Sequence, residues 1–446
     1  EFLITRNHPN VKAGALLFSL FDVYEDIAFP GGIPFSWFTK EWGFANSELD
    51  HNRLPIRDLI PRLLVKGVAA VNGDIQSLEE ALKEHEENVD LHAQASQVTF
   101  RDEIFDEATG ETIEIFSPHT YLEQINGANI PLYCYSGWYD GAYCHSAIRR
   151  FANLTHPDSK LILGPWEHRG RFNISPNTPG KVGFDHLGEL LKFFDCHLKG
   201  KETGIKSDAK VHYFTMGSNE WRASEQWPPK GAQMESWYFN HENTISNQKP
   251  DVKEGMDQYV ANKQTGTGEK TRWRSMVSKL FTPKAYPDLA TRDQQRLCYT
   301  SATLSENIEI SGHPLIKLFV QSTAEDGSFH VYLEDVEPNG KIRYVTEGML
   351  RALHRKVSNE TPLYKDWVPY RTYKQADAQL LTPGEMSELY FDMLPVSYVF
   401  QKGHRIRVAF TCHDADHFFP VTPDKTVIQL HRNKEWASCC ELPIVS

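Results

Sequence analysis

The length, composition and charge of the chain exclude several classes of protein. Its 446 residues carry 47 lysines and arginines against 59 aspartates and glutamates, a formal net charge of −12, so a nucleic acid or an anionic membrane surface would be repelled on average. Hydrophobic residues make up 40% of the chain and charged residues 24%, which is typical of a folded globular protein. The longest apolar stretch, 13–21, is far shorter than the roughly 20 residues of a membrane span.

The seven cysteines are scattered, and only Cys439 and Cys440 are adjacent. This spacing predicts neither a disulfide framework nor paired zinc ligands. Low cysteine use slightly favours a cytoplasmic protein. The chain opens on Glu1 without a signal-peptide pattern, and we expect it to be an excerpt of a longer protein, so its compartment stays open.

The first half of the chain predicts a parallel sheet that is interrupted by a helical segment. Residues 11–18 form a short apolar run typical of a strand buried on both faces of a parallel sheet. Residues 21–122 are rich in aromatic residues, Pro and Gly and then become helical, with an acidic amphipathic helix predicted at 77–91, and we interpret this segment as an inserted lid. Two strand–helix units follow, which predict a parallel sheet covered by helices. Their strands are predicted at 130–136 and 160–163 and their helices at 142–154 and 184–198.

Beyond residue 205 the pattern changes to short strands. Runs such as 329–334 and 405–410 alternate apolar and polar residues, which predicts strands with one buried face. Turn sequences separate these runs, so this region predicts a β-sandwich of the jelly-roll type, and the polar stretch 241–268 predicts a long surface loop. The predicted fold class is therefore α/β followed by a jelly roll. Its parts are a sheet core at 1–20 and 123–204, a helical lid at 21–122 and a jelly-roll β-sandwich at 205–446.

Two residues in the predicted loops have the types and order of an acid–base pair. Asp140 and His168 each follow a predicted strand, and sites in parallel sheets form where the carboxyl ends of the strands meet. A histidine that takes a proton from a serine hydroxyl needs a carboxylate to fix its tautomer, and in α/β-hydrolases the acid precedes the histidine. Spacing alone favours a structural explanation, a turn aspartate and an unrelated histidine.

The nucleophile of such a triad is missing from the sequence. A Gly-x-Ser-x-Gly elbow, whose glycines let a strained turn expose the serine, does not occur. Ser136 lies on the same predicted strand end as Asp140, which makes it a poor candidate. Cys144 follows Asp140 by four residues, but no histidine is evident as its base.

Several separated motifs resemble those of a known family. In chain order they are YSGWYDGAYCHSAIRRF, KLILGPWEHRG, FFDCHLKG and VHYFTMGSNEWR, followed by LPVSYVFQKGHRIRVAFTCHDADHFF. Over almost its whole length the chain resembles the cocaine-esterase / X-prolyl dipeptidyl-peptidase-like hydrolases (the CocE/NonD family), and the last motif is similar to their C-terminal jelly roll. The resemblance implies an α/β-hydrolase core with an inserted lid, no cofactor and no metal, and a triad completed by Asp140 and His168.

The same resemblance implies where the nucleophile lies. In related sequences a Gly-x-Ser-Tyr-x-Gly elbow opens a helix that runs into a segment similar to the start of this chain, and in some of them an upstream tyrosine donates to the oxyanion. We therefore expect the serine to lie shortly before Glu1 and the chain alone to be inactive.

Three weaker candidates remain. Phe29 and Trp138 are predicted to line an apolar acyl pocket, although such aromatic residues are as often part of a lid core. Residues 413–417, His-Asp-Ala-Asp-His, have the types of metal ligands. Five consecutive residues cannot all face one ion, so we predict no metal site there.

The sequence thus predicts a serine hydrolase that cleaves an ester or amide bond through an acyl-enzyme. His168 would act as general base and then as general acid, oriented by Asp140. We expect a small-molecule ester or amide as substrate and no nucleic-acid or membrane partner, and leave a homo-oligomer open. The alternative is a catalytically inactive fragment or binding module that holds a carbohydrate or peptide on the jelly roll. A Gly-x-Ser-Tyr-x-Gly sequence immediately before Glu1 would favour the enzyme.

Overall fold

The structure, a computed structural model, describes residues 1–57, 60, 64–175, 180–181, 183–275 and 286–445. Within these ranges the chain forms an α/β sheet, a helical segment inserted after its first strand, and a large β-sandwich. This architecture confirms the predicted fold class. Parts of all three predicted regions lie outside the described residues, namely 58, 59 and 61–63 in the lid, 176–179 and 182 in the sheet core, and 276–285 and 446 in the jelly roll. None of the helices in the described ranges is long and apolar enough to cross a membrane.

Nine strands belong to the α/β half of the described chain. They are β1 (Gly14–Leu17), β2 (Ile104–Asp106), β3 (Glu111–Thr112), β4 (Leu132–Gly137), β5 (Lys160–Gly164), β6 (Phe172–Asn173), β7 (Gly180–Lys181), β8 (Val211–Thr215) and β9 (Glu220–Ser224). Five of them form one sheet in the order β1-β4-β5-β8-β9, in which all neighbours are parallel except β8 and β9. The sheet therefore continues past residue 204, where we predicted the core to end, because β8 pairs with β5 and buries Val211 and Tyr213.

Helices cover both faces of the central strands, as a parallel sheet requires. Helix Tyr143–Asn153 packs on the face that carries Cys134 and Leu161, and helix His186–Lys199 packs on the other face, where Phe193 contacts Tyr133. All residues of β4 and β5 are consequently buried. The prediction that 11–18 is buried on both faces is wrong. β1 is only half-buried because it is an edge strand, which pairs with β4 alone among the described residues.

The segment inserted between β1 and β4 is mostly helical, and its role as a lid stays a prediction. It contains the π-helical turn Tyr24–Ala28 and the α-helices Ser36–Asp50, Ile75–Glu84, Leu91–Ala95 and Leu122–Gly127. The helix predicted at 77–91 ends earlier, at Glu84, and a 3-10 turn at His85–Glu87 follows it. Asp90 then caps the next helix by accepting hydrogen bonds from the backbone N–H groups of His92 and Ala93. Two further short α-helices of the described residues, Arg272–Ser275 and Ala290–Asp293, lie in the sandwich half.

Thirteen strands of the described residues form the β-sandwich as one hydrogen-bonded network. They are β10 (Ala232–Asn240), β11 (Thr244–Ser246), β12 (Met256–Val260), β13 (Leu297–Thr300), β14 (Ile308–Gly312), β15 (Leu315–Ser322), β16 (Ser328–Val336), β17 (Ile342–Arg351), β18 (Ser387–Asp392), β19 (Val396–Phe400), β20 (Arg405–Thr411), β21 (Val427–His431) and β22 (Cys439–Val445). The prediction of a long surface loop at 241–268 is wrong, since β11 and β12 lie within this range and pair with β10 and β21.

The predicted alternation holds over residues 405–408 of β20, is lost at its fully buried end 409–411, and fails in β16. In β20, Ile406 and Val408 are buried, whereas Arg405 and Arg407 are half-buried. In β16 every residue is buried, because its polar face is also covered. There the guanidinium of Arg296 lies 4.1 Å from the centre of the Tyr332 ring.

Candidate active site

Asp140 and His168 lie just past the carboxyl ends of the adjacent parallel strands β4 and β5. Although they are 28 residues apart in sequence, Nδ1 of His168 lies 2.8 Å from Oδ1 of Asp140. The Asp140 side chain is fully buried, whereas that of His168 is 27% exposed. Within the described residues, no hydrogen bond occupies Nε2 of His168. The arrangement therefore anchors one ring nitrogen and leaves the other available for proton exchange.

The backbone of the two loops fixes this geometry. Beyond the last residues of the strands, the amide of Trp138 donates to the carbonyl of Gly164 (2.8 Å) and that of Tyr139 donates to the carbonyl of Trp166 (3.3 Å). The close approach requires glycine at 137, since a Cβ there would lie 2.2 Å from the carbonyl oxygen of Trp166. The motif Gly-Trp-Tyr-Asp thus packs directly on the motif Gly-Pro-Trp-Glu-His.

The surroundings of His168 make it a stronger base than an ordinary histidine. Burial by itself would lower the pKa of His168, but attraction to the Asp140 carboxylate and their hydrogen bond outweigh it, with a smaller contribution from Glu167, so the pKa is raised. The rings of Phe18 and Tyr143 flank the imidazole, with ring centres 6.1 and 5.6 Å away. An imidazolium formed during proton transfer would therefore be stabilised by a buried carboxylate.

Two other Asp–His pairs in the sandwich show what distinguishes this one. Nδ1 of His404 lies 2.9 Å from Asp335, and Nδ1 of His417 lies 2.9 Å from Asp414. His417 is fully buried, and its Nε2 is already bonded to the hydroxyl of Thr271. Only the Asp140 pair lies at the carboxyl edge of the parallel sheet, where sites form in α/β folds.

The segment 413–417 takes part in hydrogen bonds between protein groups. Oδ2 of Asp414 accepts from the hydroxyl of Thr267 (2.8 Å) and pairs with His417, while Oδ2 of Asp416 accepts from the amide of Gly268. These partners hold the loop to residues 267–271 of the same half of the molecule.

One buried cluster has the donor types of a metal site, namely His145, His313 and Asp366. Its carboxylate already pairs with a cation, since Nε of Arg149 donates to Oδ2 of Asp366 (2.6 Å). The indole N–H of Trp227 donates to Nε2 of His313 (3.2 Å), which places the proton of a neutral His313 on Nδ1. These contacts fit a guanidinium-centred network better than a metal ion.

A second cluster, Asp22, Glu114 and His119, is compensated in the same way. Arg101 lies 2.8 Å from Asp22 and 2.9 Å from Glu114, and together with His119 it holds the pKa of Asp22 well below its usual range against the effect of burial. A divalent ion would have to displace this guanidinium.

The two predicted pocket residues are buried in hydrophobic clusters. Phe29 is 1% exposed and stacks on Tyr24 in the inserted segment, although it also borders a groove against the loop 418–421 of the sandwich. Trp138 is 1% exposed, and its indole N–H donates to the carbonyl of Phe214. These contacts give Trp138 a structural role, and substrate contact by either residue stays a prediction.

Three residues near the pair have no counterpart in the sequence-based prediction. Phe18 follows the last residue of β1 and has a φ of 49°, a strained conformation for a bulky side chain, and Tyr143 begins the helix that follows Asp140. Arg272, from the sandwich half, donates to the Asp140 loop. A residue three positions after Asp140 could have been suspected from the motif, whereas nothing in the sequence marks Arg272.

Comparison with known proteins relates both halves of the chain to one group of hydrolases. A family model described as X-Pro dipeptidyl-peptidase (S15 family) matches residues 2–170, and one described as the X-Pro dipeptidyl-peptidase C-terminal non-catalytic domain matches residues 203–435. Both matches follow the order of the two halves seen in the structure.

Individual relatives agree with these matches. A protein of Mycobacterium bovis whose name assigns it to the serine esterases is 43% identical, over 100% of this chain and 74% of that protein. The cocaine esterase of a Rhodococcus species is 27% identical, over 64% of this chain and 49% of that protein. A CocE/NonD family hydrolase from Staphylococcus aureus has the same fold, with a TM-score of 0.69 at 16% identity, over 100% of this chain and 70% of that one.

Proposed function

Because the chain belongs to the cocaine-esterase / X-prolyl dipeptidyl-peptidase-like (CocE/NonD) family of α/β-hydrolases, we propose that it is part of a serine hydrolase. This enzyme cleaves an ester or amide bond of a small molecule through an acyl-enzyme. His168 is the general base and then the general acid of this proposal. Asp140 orients it and stabilises its charged form.

One observation carries the proposal, the 2.8 Å contact between Asp140 and His168 at the carboxyl edge of β4 and β5. A carboxylate that accepts from Nδ1–H leaves the lone pair of the imidazole on Nε2, which is the tautomer a general base needs. The raised pKa of His168 favours proton uptake, and its partial exposure allows a substrate to reach it.

The proposed reaction has two proton transfers in each half. Nε2 of His168 takes the proton of a serine hydroxyl while the serine oxygen bonds to the acyl carbon, and it then gives that proton to the leaving oxygen or nitrogen as the old bond breaks. Water repeats the sequence on the acyl-enzyme, which releases the acid and restores the serine. Asp140 stays ionised throughout and stabilises the imidazolium.

The serine of this mechanism is proposed to lie outside residues 1–446, shortly before Glu1. No Gly-x-Ser-x-Gly elbow occurs in the sequence, and no hydroxyl of the described residues is hydrogen-bonded to His168. The pair alone would support only general-base attack by water, because the members of a triad act as a unit.

Labelling with a fluorophosphonate probe tests the proposal. We expect the full-length protein to be labelled at a serine before Glu1, the His168→Ala variant to lose the label, and the isolated 446-residue chain to remain unlabelled and to hydrolyse no ester. Labelling of any serine within residues 1–446 would contradict the assignment of the nucleophile. A panel of p-nitrophenyl esters and X-Pro anilides on the full-length protein then separates esterase from peptidase activity.

A further inference from the structure

The loop that carries Asp140 is held by a short segment of the sandwich half, residues Arg272–Ser275. Nε of Arg272 donates to the carbonyl of Gly141 (2.7 Å) and Nη2 donates to the carbonyl of Trp138 (2.5 Å). In return the amide of Gly141 donates to the carbonyl of Arg272 (3.1 Å), and the hydroxyl of Ser275 donates to the carbonyl of Tyr139 (2.9 Å). The backbone is therefore held on both sides of Asp140.

The Arg272 guanidinium is buried without a carboxylate in ion-pair contact, although Glu347 attracts it from farther away. The residue is 1% exposed, and in the ranges that the structure describes no aspartate or glutamate lies within ion-pair distance of it. Its remaining donors reach the hydroxyl of Tyr344 and the thiol of Cys144, each at 3.2 Å. A buried charge is costly unless it is hydrogen-bonded, and here the loop carbonyls supply the shortest of those bonds.

We propose that Arg272 is a positioning residue for the hydrolytic reaction, one that acts across the boundary between the two halves of the molecule. By clamping the carbonyls of Trp138 and Gly141, it keeps the Asp140 carboxylate within hydrogen-bond distance of His168. This inference rests on the proposed function, because the geometry that it protects is that of the acid–base pair.

The chemistry of the side chain explains why an arginine is needed. A guanidinium presents its N–H groups in a rigid planar fork, so it can bond two carbonyls at once, whereas a lysine ammonium is a compact point charge on a flexible stem. Arg272→Lys therefore keeps the buried charge and loses the clamp. This variant therefore separates a positioning role of Arg272 from a purely electrostatic role.

The test compares Arg272→Lys with Arg296→Lys in the full-length protein. Arg296 is a suitable control because its side chain is also fully buried in the sandwich half, where it pairs with Asp293 and Glu334 and makes no contact with the Asp140 loop in the described residues. Both variants are expected to lower the thermal midpoint. Only Arg272→Lys should lower kcat, by about 10²-fold per folded molecule with a KM within about threefold of wild type, the loss expected for a misplacement of about 1 Å.

An NMR titration of the His168 ring measures its pKa, which should not change if Arg272 only stabilises the fold. The groups that face this ring are Asp140, Glu167 and Arg169, together with the uncharged rings of Phe18 and Tyr143. If Arg272→Lys loosens Asp140, attraction to the imidazolium weakens, and the pKa of His168 should fall. The pKa should stay unchanged in Arg296→Lys.

Equal kcat losses in the two lysine variants, or an unchanged His168 titration in Arg272→Lys, would overturn the inference. If Arg272→Lys does not fold, Ser275→Ala removes one bond to the same loop, and it should lower kcat and the His168 pKa in the same direction; no change in either would also overturn it. The titration does not depend on turnover, so it decides the positioning role even if Asp140→Asn leaves kcat intact and the proposed function fails.

Discussion

At the scale of single residues, three Asp–His contacts to Nδ1 in the described part of the chain have nearly equal lengths, and their surroundings distinguish them. Asp140–His168, Asp335–His404 and Asp414–His417 all join a carboxylate oxygen to Nδ1 at 2.8–2.9 Å. A short contact of this type is therefore not by itself evidence of catalysis. The position of one pair at the carboxyl edge of a parallel sheet supplies the distinction.

Asp140→Asn should lower kcat by about 10⁴-fold and leave the fold intact, because an amide favours the wrong imidazole tautomer. His168→Ala should lower kcat at least as much. Steady-state kinetics of the full-length variants with an ester substrate would measure both effects. Asp335→Asn is the matched control, since it alters an equivalent pair and should leave kcat near wild type. A turnover near wild type in Asp140→Asn would remove this residue from the proposed triad.

At the scale of elements, the strands of the sandwich depend on what covers each face. Val408 in β20 is 1% exposed and lies opposite Tyr299 of β13 and Leu333 of β16. Val260 in β12 is 50% exposed although it also belongs to a paired strand. Substitutions at these two valines therefore compare a buried position with an exposed position for the same residue type.

Val408→Asp should lower the free energy of unfolding by several kcal/mol, because it places an unpaired charge in the core. Val260→Asp should change it by no more than about 0.5 kcal/mol, as expected for a surface position. Urea denaturation of both variants measures the difference. Equal stabilities would show that the assignment of the buried face is wrong.

Glu347 in β17 gives the fold a pH dependence. It is 2% exposed and accepts a hydrogen bond from the indole N–H of Trp273. Burial raises its pKa to about 7, against opposing attraction from Arg272. Between the ordinary value of 4.5 and about 7 the folded state holds a proton that the unfolded state has lost. The free energy of unfolding should therefore fall by about 3 kcal/mol as pH rises through this window.

Glu347→Gln should remove that slope and make the protein more stable than wild type at pH 8, because the amide cannot ionise and can still accept from Trp273. Denaturation curves at pH 5 and pH 8 provide the measurement. Glu388→Gln, at a largely exposed glutamate of β18, is the control and should keep the wild-type slope. The same slope in Glu347→Gln as in wild type would contradict the prediction.

At the scale of the whole molecule, a buried ionic network joins the three parts of the fold. Arg149, in the helix after Asp140, donates to Glu25 (2.8 Å) and Asp26 (3.1 Å) of the inserted segment and to Asp366 (2.6 Å) of the sandwich half. Its side chain is 2% exposed, so the interaction is poorly screened by solvent.

Arg149→Met should cost about 3–5 kcal/mol of unfolding free energy, because it leaves buried carboxylates without their cation. Arg53→Met is the comparison, since its side chain is 59% exposed and lies 3.9 Å from Glu48, and it should cost no more than about 1 kcal/mol. Urea denaturation measures both variants. A loss below about 1 kcal/mol in Arg149→Met would show that the network does not hold the parts together.

The local pattern of residues is sufficient for the α/β class, the sandwich and the position of Asp140 and His168 in loops after neighbouring strands, whereas their pairing is expected only from the family resemblance. Those features follow from hydrophobic periodicity and from the rule that adjacent parallel strands end at one edge, which are local properties of the chain. The local pattern does not predict that β8 and β9 pair with the first sheet, because long-range hydrogen bonds determine which strands become neighbours.

Packing alone decided the rest. Trp138 lies within the motif that carries Asp140, yet its indole N–H donates to the carbonyl of Phe214. Strand β16 is buried on both faces because Arg296 covers its polar side. Arg272 reaches the Asp140 loop from more than 130 positions along the chain, and no spacing rule covers such a distance. Contacts between parts that are distant in sequence depend on complementary surfaces and buried hydrogen bonds. These interactions exist only once the parts have packed together.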